Sequence, residues 1–230
     1  MTIARKVVTA LTGLALCLFL VSHLAGNLLL LQGEHTFNAY SHFLISLPFI
    51  IPVEIGLGLL FLLHAFEALS VTLENRRARP VGYQVKKWAR TKSDKSRKTV
   101  SSTFMMWSGI GILIFTILHV WHFKFGPYYP VEAAATTAGI SAGSPAEMRD
   151  LFRLVVTEFK KPWIARLYFL AMLILGAHLY HAVWSAFQTL GVTNSLWKKV
   201  VIYLGNAFTI IVAGGFALLR RAAYEQAGGF

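Results

Sequence analysis

The chain has 230 residues, 56% of them hydrophobic, and a formal net charge of +12. Its mean hydropathy of +0.57 is too high for an ordinary soluble domain. Its single cysteine, Cys17, excludes disulfides within the chain, cysteine-ligated clusters and covalently attached c-type haem.

Five apolar stretches are long enough to cross a bilayer as α-helices, which takes about 20 residues each. We predict these spans at 7–31, 48–73, 102–124, 162–188 and 198–219. The first has no small-residue cleavage site and runs well past a signal-peptide core, so we expect it to be retained as a span. The predicted fold class is therefore an all-α membrane protein, with residues 1–230 as one membrane domain without an internal repeat.

Basic residues indicate how the spans are oriented. The loop between spans one and two has no Lys or Arg, whereas the loop between spans two and three carries ten: Arg76, Arg77, Arg79, Lys86, Lys87, Arg90, Lys92, Lys95, Arg97 and Lys98. The positive-inside rule places this loop and the N-terminus in the cytoplasm. Arg220, Arg221 and the basic residues at 149–166 run against the rule, but the ten-charge loop has more weight because it is short and close to the membrane.

Two connections are predicted to lie at the outer membrane surface. Residues 33–47 follow the first span directly. The Ser-Pro-Ala-Glu segment at 144–147 is typical of a helix start, and an apolar face after it predicts an interfacial helix to about residue 159. The fifth span contains no histidine or acidic residue, so we expect it to serve packing or to face lipid.

Each of the first four spans carries one deeply placed histidine: His23, His64, His119 and His178. An ionisable or ligating side chain at that depth is costly and indicates a functional site. Because an α-helix rises about 1.5 Å per residue, His23 and His119 fall in the outer half of the membrane. His64 and His178 fall in the inner half, which gives one pair at each depth.

Two imidazoles on one haem iron give a six-coordinate centre that carries electrons and has no open position for a substrate. Four helices around buried cofactors are a common bundle arrangement. We therefore predict two haem b groups, with His23 and His119 as iron ligands of the outer haem and His64 and His178 as iron ligands of the inner haem. A hydrogen bond to a neighbouring helix could explain one such histidine, but it explains four on separate spans at two depths less well.

Short motifs surround the four histidines in a fixed order. They are Thr12-Gly13-Leu14 running to Phe19 and Ser22-His23, then Leu63-His64-Ala65-Phe66, then Leu118-His119-Val120, then His178-Leu179-Tyr180-His181 followed by Trp184 and Gly191. Over nearly the whole chain they resemble the cytochrome b subunit of succinate dehydrogenases and fumarate reductases, of the single-anchor, five-helix, two-haem kind. Counting back from Gly191, the family's spacing favours His178 over His181 as the fourth ligand.

The resemblance implies a membrane anchor in a bacterial cytoplasmic membrane. It implies a flavoprotein subunit and an iron–sulfur subunit docked on the cytoplasmic side, and a quinone as the membrane substrate. Succinate would be oxidised on the partner subunits, and electrons would pass through the inner and then the outer haem to the quinone. Two haems across the membrane suit menaquinone.

Several further residues are open to two interpretations. His122 is a candidate for a hydrogen bond to the quinone or to a haem propionate, or else an interfacial histidine. Glu54 is a candidate for proton transfer at the quinone, or else for a hydrogen bond to a loop. Glu67 is expected to pair with a basic residue of the 76–98 loop. Some family members carry a glutamate two residues before the fourth ligand; Gly176 stands there in this chain, so we do not expect that proton path.

Three other functions fit parts of the same pattern. The anchor could belong to a quinol:fumarate reductase, or to another membrane dehydrogenase such as a hydrogenase or formate dehydrogenase. A haem-free transporter or channel could use buried histidines as proton relays. The sequence contains no nucleotide-binding motif and no nucleophile constellation, and nothing in it ties the basic charge to a nucleic-acid partner.

Overall fold

A computed structural model of the protein describes residues 2–78, 104–131, 149–192 and 194–226. These residues form seven α-helices and no strand. The helices are α1 (Thr2–Leu28, continued by a 3₁₀ turn at Leu29–Gln32), α2 (Glu34–Ser46), α3 (Ile50–Arg77), α4 (Met105–Lys124), α5 (Leu151–Phe159), α6 (Pro162–Thr189) and α7 (Ser195–Gln226).

Five of these helices, α1, α3, α4, α6 and α7, are long and apolar enough to cross a membrane. The five predicted spans are confirmed as helices, and the chain is a multi-pass membrane protein. Helices α3 and α7 continue beyond the predicted limits of 73 and 219, because a helix does not stop where its apolar residues stop. Most of the ten-charge loop lies outside the described residues; Arg76 and Arg77 belong to the last turn of α3.

Four of the spanning helices contact one another in a ring. Helix α1 packs against α3 and α6, and α4 packs against the same two helices. Consequently α1 lies diagonally opposite α4, and α3 lies diagonally opposite α6. Helix α7 packs outside this ring against α6 and α1, and Val212 in its middle is only 1% exposed.

The two short helices close one end of the ring. Helices α2 and α5 share a buried apolar cluster with the last turns of α1 and α7 and the first turns of α6, formed by Leu24, Leu30, Phe37, Phe159, Ile164, Ala165, Tyr168, Leu219 and Ala223. We call the end of the ring that α2 and α5 close the capped end. The opposite end, where α3 and α6 finish, is the open end. The segment 33–47 is thus a helix that packs on the bundle.

The start of α5 is fixed by a polar contact with α2. Asp150 is the N-cap of α5 and accepts a hydrogen bond from the Arg153 backbone N–H at 2.8 Å. Asn38 of α2 donates to the same carboxylate at 2.8 Å, and its amide oxygen accepts from the Phe152 backbone N–H at 2.9 Å. The predicted helix start at 144–147 lies outside the described residues. A helix that continues from there to 159 is wrong, because residues 149 and 150 are not helical and α5 begins at Leu151; the predicted end near 159 is confirmed.

We expect Asn38→Ala to destabilise the capped end. The substitution leaves a buried carboxylate and a backbone N–H each short of a partner, which costs about 1–3 kcal/mol. Thermal unfolding in detergent should therefore show a lower midpoint than the wild type. In the control Ser46→Ala, the lost hydroxyl is exposed and bonds only to the Phe43 carbonyl of its own helix, so an equal loss in both variants would contradict this account.

Candidate functional site

His23 of α1 and His119 of α4 meet across one diagonal of the ring, at the capped end. Their ring centroids are 5.9 Å apart, with the ring planes at 84°. Two imidazoles bound to opposite sides of one metal ion, each at about 2 Å, place their centroids roughly 6 Å apart. The structure therefore brings this pair together at a spacing at which both imidazoles could hold the same metal ion.

Aromatic side chains enclose this pair. Phe19 stacks on His23 with centroids 5.2 Å apart, and Phe115 stacks on His119 at 5.7 Å. Phe216 of α7 approaches His23 at 5.5 Å. These rings make the surroundings of the histidines apolar, which suits a flat, largely apolar cofactor and keeps water away from the imidazoles.

His64 of α3 and His178 of α6 lie on the other diagonal, toward the open end. Each is held by the helix next to its own. The Nδ1 atom of His64 lies 3.1 Å from the Thr9 carbonyl oxygen and 3.1 Å from the Thr12 hydroxyl, both on α1.

These contacts decide which ring nitrogen of His64 carries the proton. A carbonyl oxygen can only accept, so Nδ1 must donate to Thr9. The Thr12 hydroxyl already donates to the Val8 carbonyl at 2.7 Å, so it too accepts from Nδ1. The assigned tautomer leaves Nε2 of His64 unprotonated and able to bind a metal ion.

His178 is held in the same way by α4. Its Nδ1 atom lies 3.1 Å from the Ser108 hydroxyl. The Ser108 hydroxyl donates to the Met105 carbonyl at 3.0 Å, so it accepts from the imidazole. Nε2 of His178 is thereby also left unprotonated. His178, rather than His181, makes this contact.

A glycine beside each hydroxyl makes room for the ring. A Cβ at Gly13 would lie 3.0 Å from Cε1 of His64, and a Cβ at Gly109 would lie 3.5 Å from Cε1 of His178. A side chain at 13 would therefore push against His64, whereas one at 109 would only touch His178. The backbone of α1 can approach the imidazole closely because residue 13 has no side chain.

The two hydroxyl residues belong to a pattern that occurs twice. Thr12-Gly13, five residues, Phe19, three residues and His23 on α1 match Ser108-Gly109, five residues, Phe115, three residues and His119 on α4. The pattern covers four matched positions on two helices, and the expectation of one membrane domain without an internal repeat stays a prediction. The pattern is hard to recognise because only a few residues are identical and the residues between them are apolar. Its identical spacing on the two helices is the signal that identifies Thr12 and Ser108.

His122 is engaged by protein groups on both ring nitrogens. Nδ1 lies 3.1 Å from the Tyr168 hydroxyl and Nε2 lies 2.9 Å from Glu158 Oε2 on α5. Lys161 also bonds to Glu158, at 2.8 Å. Tyr168 in turn lies 3.4 Å from Nδ1 of His119. These contacts favour the interpretation of His122 as an interfacial histidine, and its role toward a quinone stays a prediction.

The remaining candidates lie at the two ends of the ring. Glu54 forms an ion pair with Lys124, which joins α3 to α4 at the capped end. Glu67 lies 3.7 Å from Arg5 of α1, so its described partner is on α1, and the part of the 76–98 loop beyond Ala78 lies outside the described residues. Gly176 faces α7, where a Cβ would meet Ala213 at 3.3 Å; position 176 is thus a helix-packing position.

Comparisons of the chain with protein-family models, with curated proteins and with solved structures give no match. In the described part of the chain, no group of three or more His, Cys, Asp or Glu side chains could hold a metal ion. The geometry therefore offers two histidine pairs. Their role as haem ligands stays a prediction that rests on the residues themselves.

The Glu158 contacts predict a pH-dependent contribution to stability. Burial disfavours the charged carboxylate, but hydrogen bonds from Lys161 and His122 outweigh it, so the pKa of Glu158 is lowered from 4.5. A carboxyl with a lowered folded pKa stabilises the protein above its ordinary pKa, and this contribution is lost as the pH falls through the folded value. Glu158→Gln should therefore reduce stability near neutrality by about 1–3 kcal/mol.

Thermal unfolding of the wild type and Glu158→Gln, near neutrality and in acid below the ordinary carboxyl pKa of 4.5, tests this. The difference between the two proteins should shrink in acid. Glu225→Gln is the matched control, because that carboxylate is more than half exposed and pairs with Arg221 on its own helix. A difference that is constant with pH would contradict the account.

Proposed function

We propose that this protein is the dihaem cytochrome b anchor of a succinate:quinone oxidoreductase in a bacterial cytoplasmic membrane. The main support is one observation: each helix of a single four-helix ring carries a histidine, with His23 and His119 in contact across one diagonal and His64 and His178 on the other diagonal, nearer the open end. The order of the motifs around these histidines adds the resemblance to the succinate dehydrogenase and fumarate reductase anchors.

The residues present fit two haem b groups. His23 and His119 would hold one, and His64 and His178 the other; when bound, the haems supply one-electron transfer. The unprotonated Nε2 atoms of His64 and His178 provide lone pairs for iron. A haem iron held by both imidazoles of a pair would have no position left for a substrate, which favours electron relay over chemistry at the metal.

The order of the pairs along the bundle gives the direction of the path. In the proposed orientation the open end faces the cytoplasm, because Arg5, Arg76 and Arg77 lie there. The flavoprotein and iron–sulfur subunits would dock on that side, nearer to His64 and His178. The capped-end pair then lies nearer the outer surface, and succinate oxidation takes place on the partners.

The acid–base groups of the capped end are suited to protons taken up or released by a quinone. Glu158, His122 and Tyr168 form a hydrogen-bonded series that starts on α5, and the Tyr168 hydroxyl lies 3.4 Å from Nδ1 of His119. A quinone oxygen that binds His122 would replace Tyr168 or Glu158 as its partner. Glu54, paired with Lys124, is the second candidate at this end.

A potentiometric titration of the purified protein, followed in the visible spectrum, tests the relay. We expect two haem transitions in the wild type. His23→Ala and His64→Ala should each remove one transition, and not the same one, because their partners are on different diagonals. His35→Ala is the control, since that histidine is exposed on α2, and it should keep both transitions. Two intact transitions in His64→Ala would contradict the ligand assignment.

The enzyme assignment needs the partner subunits. The tagged chain, purified from its own membranes, should bring down a flavin-containing and an iron–sulfur subunit, and the complex should reduce a quinone with succinate. Copurification of a hydrogenase or formate dehydrogenase instead would keep the cytochrome and contradict the assignment to succinate. Faster turnover from quinol to fumarate would identify the same anchor working in reverse.

A further inference from the structure

Thr12 and Ser108 occupy equivalent positions on α1 and α4, and each hydroxyl contacts a histidine that is a proposed haem ligand. We propose that they are positioning residues, which fix the orientation and electron donation of His64 and His178 and so set the reduction potential of the open-end haem. This inference rests on the proposed function, because it concerns the same pair of ligands.

The first support is the direction of the hydrogen bonds. The hydroxyl groups of Thr12 and Ser108 each donate a hydrogen bond to a carbonyl oxygen of the same helix, at Val8 and Met105. The oxygen of each hydroxyl is therefore free only to accept, and the imidazole is its donor. A hydroxyl without that backbone bond could turn and donate to Nδ1, which would place the imidazole proton on Nε2 and block iron binding.

The second support is that the arrangement is repeated. Helix α1 holds the histidine of α3, and α4 holds the histidine of α6, with the same 3.1 Å contact and a glycine directly after the hydroxyl residue. A hydroxyl that served only its own helix would have no reason to meet a histidine in both halves. The repetition therefore indicates a shared function at the two imidazoles.

The third support is the contrast with the capped-end pair. The Nδ1 atom of His23 lies 3.5 Å from the Asn27 amide nitrogen, and that of His119 lies 3.4 Å from the Tyr168 hydroxyl. These contacts are at or near the limit of a hydrogen bond. The short hydroxyl contacts are thus a property of the open-end pair, and their effect should be confined to the haem that His64 and His178 hold.

The effect follows from the chemistry of the ligand. An imidazole that donates from its distal nitrogen to a fixed acceptor is more basic at the nitrogen that binds the metal. Greater electron donation favours the oxidised iron. Removal of a hydroxyl should therefore raise the reduction potential of the open-end haem. In Thr12→Val, the contact of His64 with the Thr9 carbonyl should keep the imidazole in place.

Potentiometric titration and low-temperature EPR of the whole complex test the proposal, with Thr12→Val and Ser108→Ala as separate variants. The open-end transition is identified as the one lost in His64→Ala. It should shift to higher potential in both variants, and the EPR signal of that haem alone should change. Two variants on different helices keep the test valid if one of them fails to fold.

Two controls separate this role from a purely structural one. Thr12→Ser retains the hydroxyl and should retain the wild-type potential. Ser22→Ala removes an exposed hydroxyl of the same helix that bonds only to the Phe19 carbonyl, and should also change nothing. Unshifted potentials in Thr12→Val and Ser108→Ala, with both haems present, would overturn this inference and leave the proposed function intact. A wild type without haem would overturn both.

Discussion

The structure depends on one constraint: a polar side chain inside a membrane must find its partner within the protein, because hydrocarbon offers none. His64 meets this constraint through Thr9 and Thr12, and His178 through Ser108, in each case on the neighbouring helix. Because these acceptors face Nδ1, the same contacts that satisfy the imidazoles leave Nε2 unprotonated. The same hydrogen bonds therefore hold neighbouring helices together and leave the Nε2 atoms of the histidines able to bind a metal ion.

The constraint also explains how one helix can serve two sites. Helix α1 carries Thr12 for the open-end pair and His23 for the capped-end pair, 11 residues later, and α4 repeats this with Ser108 and His119. At about 1.5 Å per residue, the two sites lie roughly 16 Å apart along the helix axis. In each half of the ring, a hydroxyl residue contacts the histidine of the neighbouring helix, whereas the two histidines of a pair lie on diagonally opposite helices. Two copies of the pattern of hydroxyl residue and histidine, on α1 and α4, are therefore enough. Helix α7 supports the ring from outside, and α2 and α5 close one end.

The sequence allowed the spanning helices to be predicted, because each depends on a local feature, an apolar run. The same local reasoning singled out the four histidines, whose role as haem ligands stays a prediction. The depth argument also predicted which histidines pair, and His23 and His119 lie together in the structure. The contacts between distant residues were not predictable. Asn38 meets Asp150 and His122 meets Glu158 only because α2 and α5 fold onto the capped end. The partner of Glu67 was expected in the 76–98 loop, most of which lies outside the described residues. Among the described residues Arg5 lies beside Glu67, because α1 packs along α3.

The central claim is that the ring holds two haems, one on each diagonal. The most direct measurement is the haem content per chain of the purified wild type, from its pyridine-haem spectrum, together with its reduced-minus-oxidised spectrum. The account predicts two haem b per chain with a low-spin, bis-histidine spectrum. A purified, folded chain with no haem would contradict it and would leave a haem-free transporter with buried histidines as the better explanation.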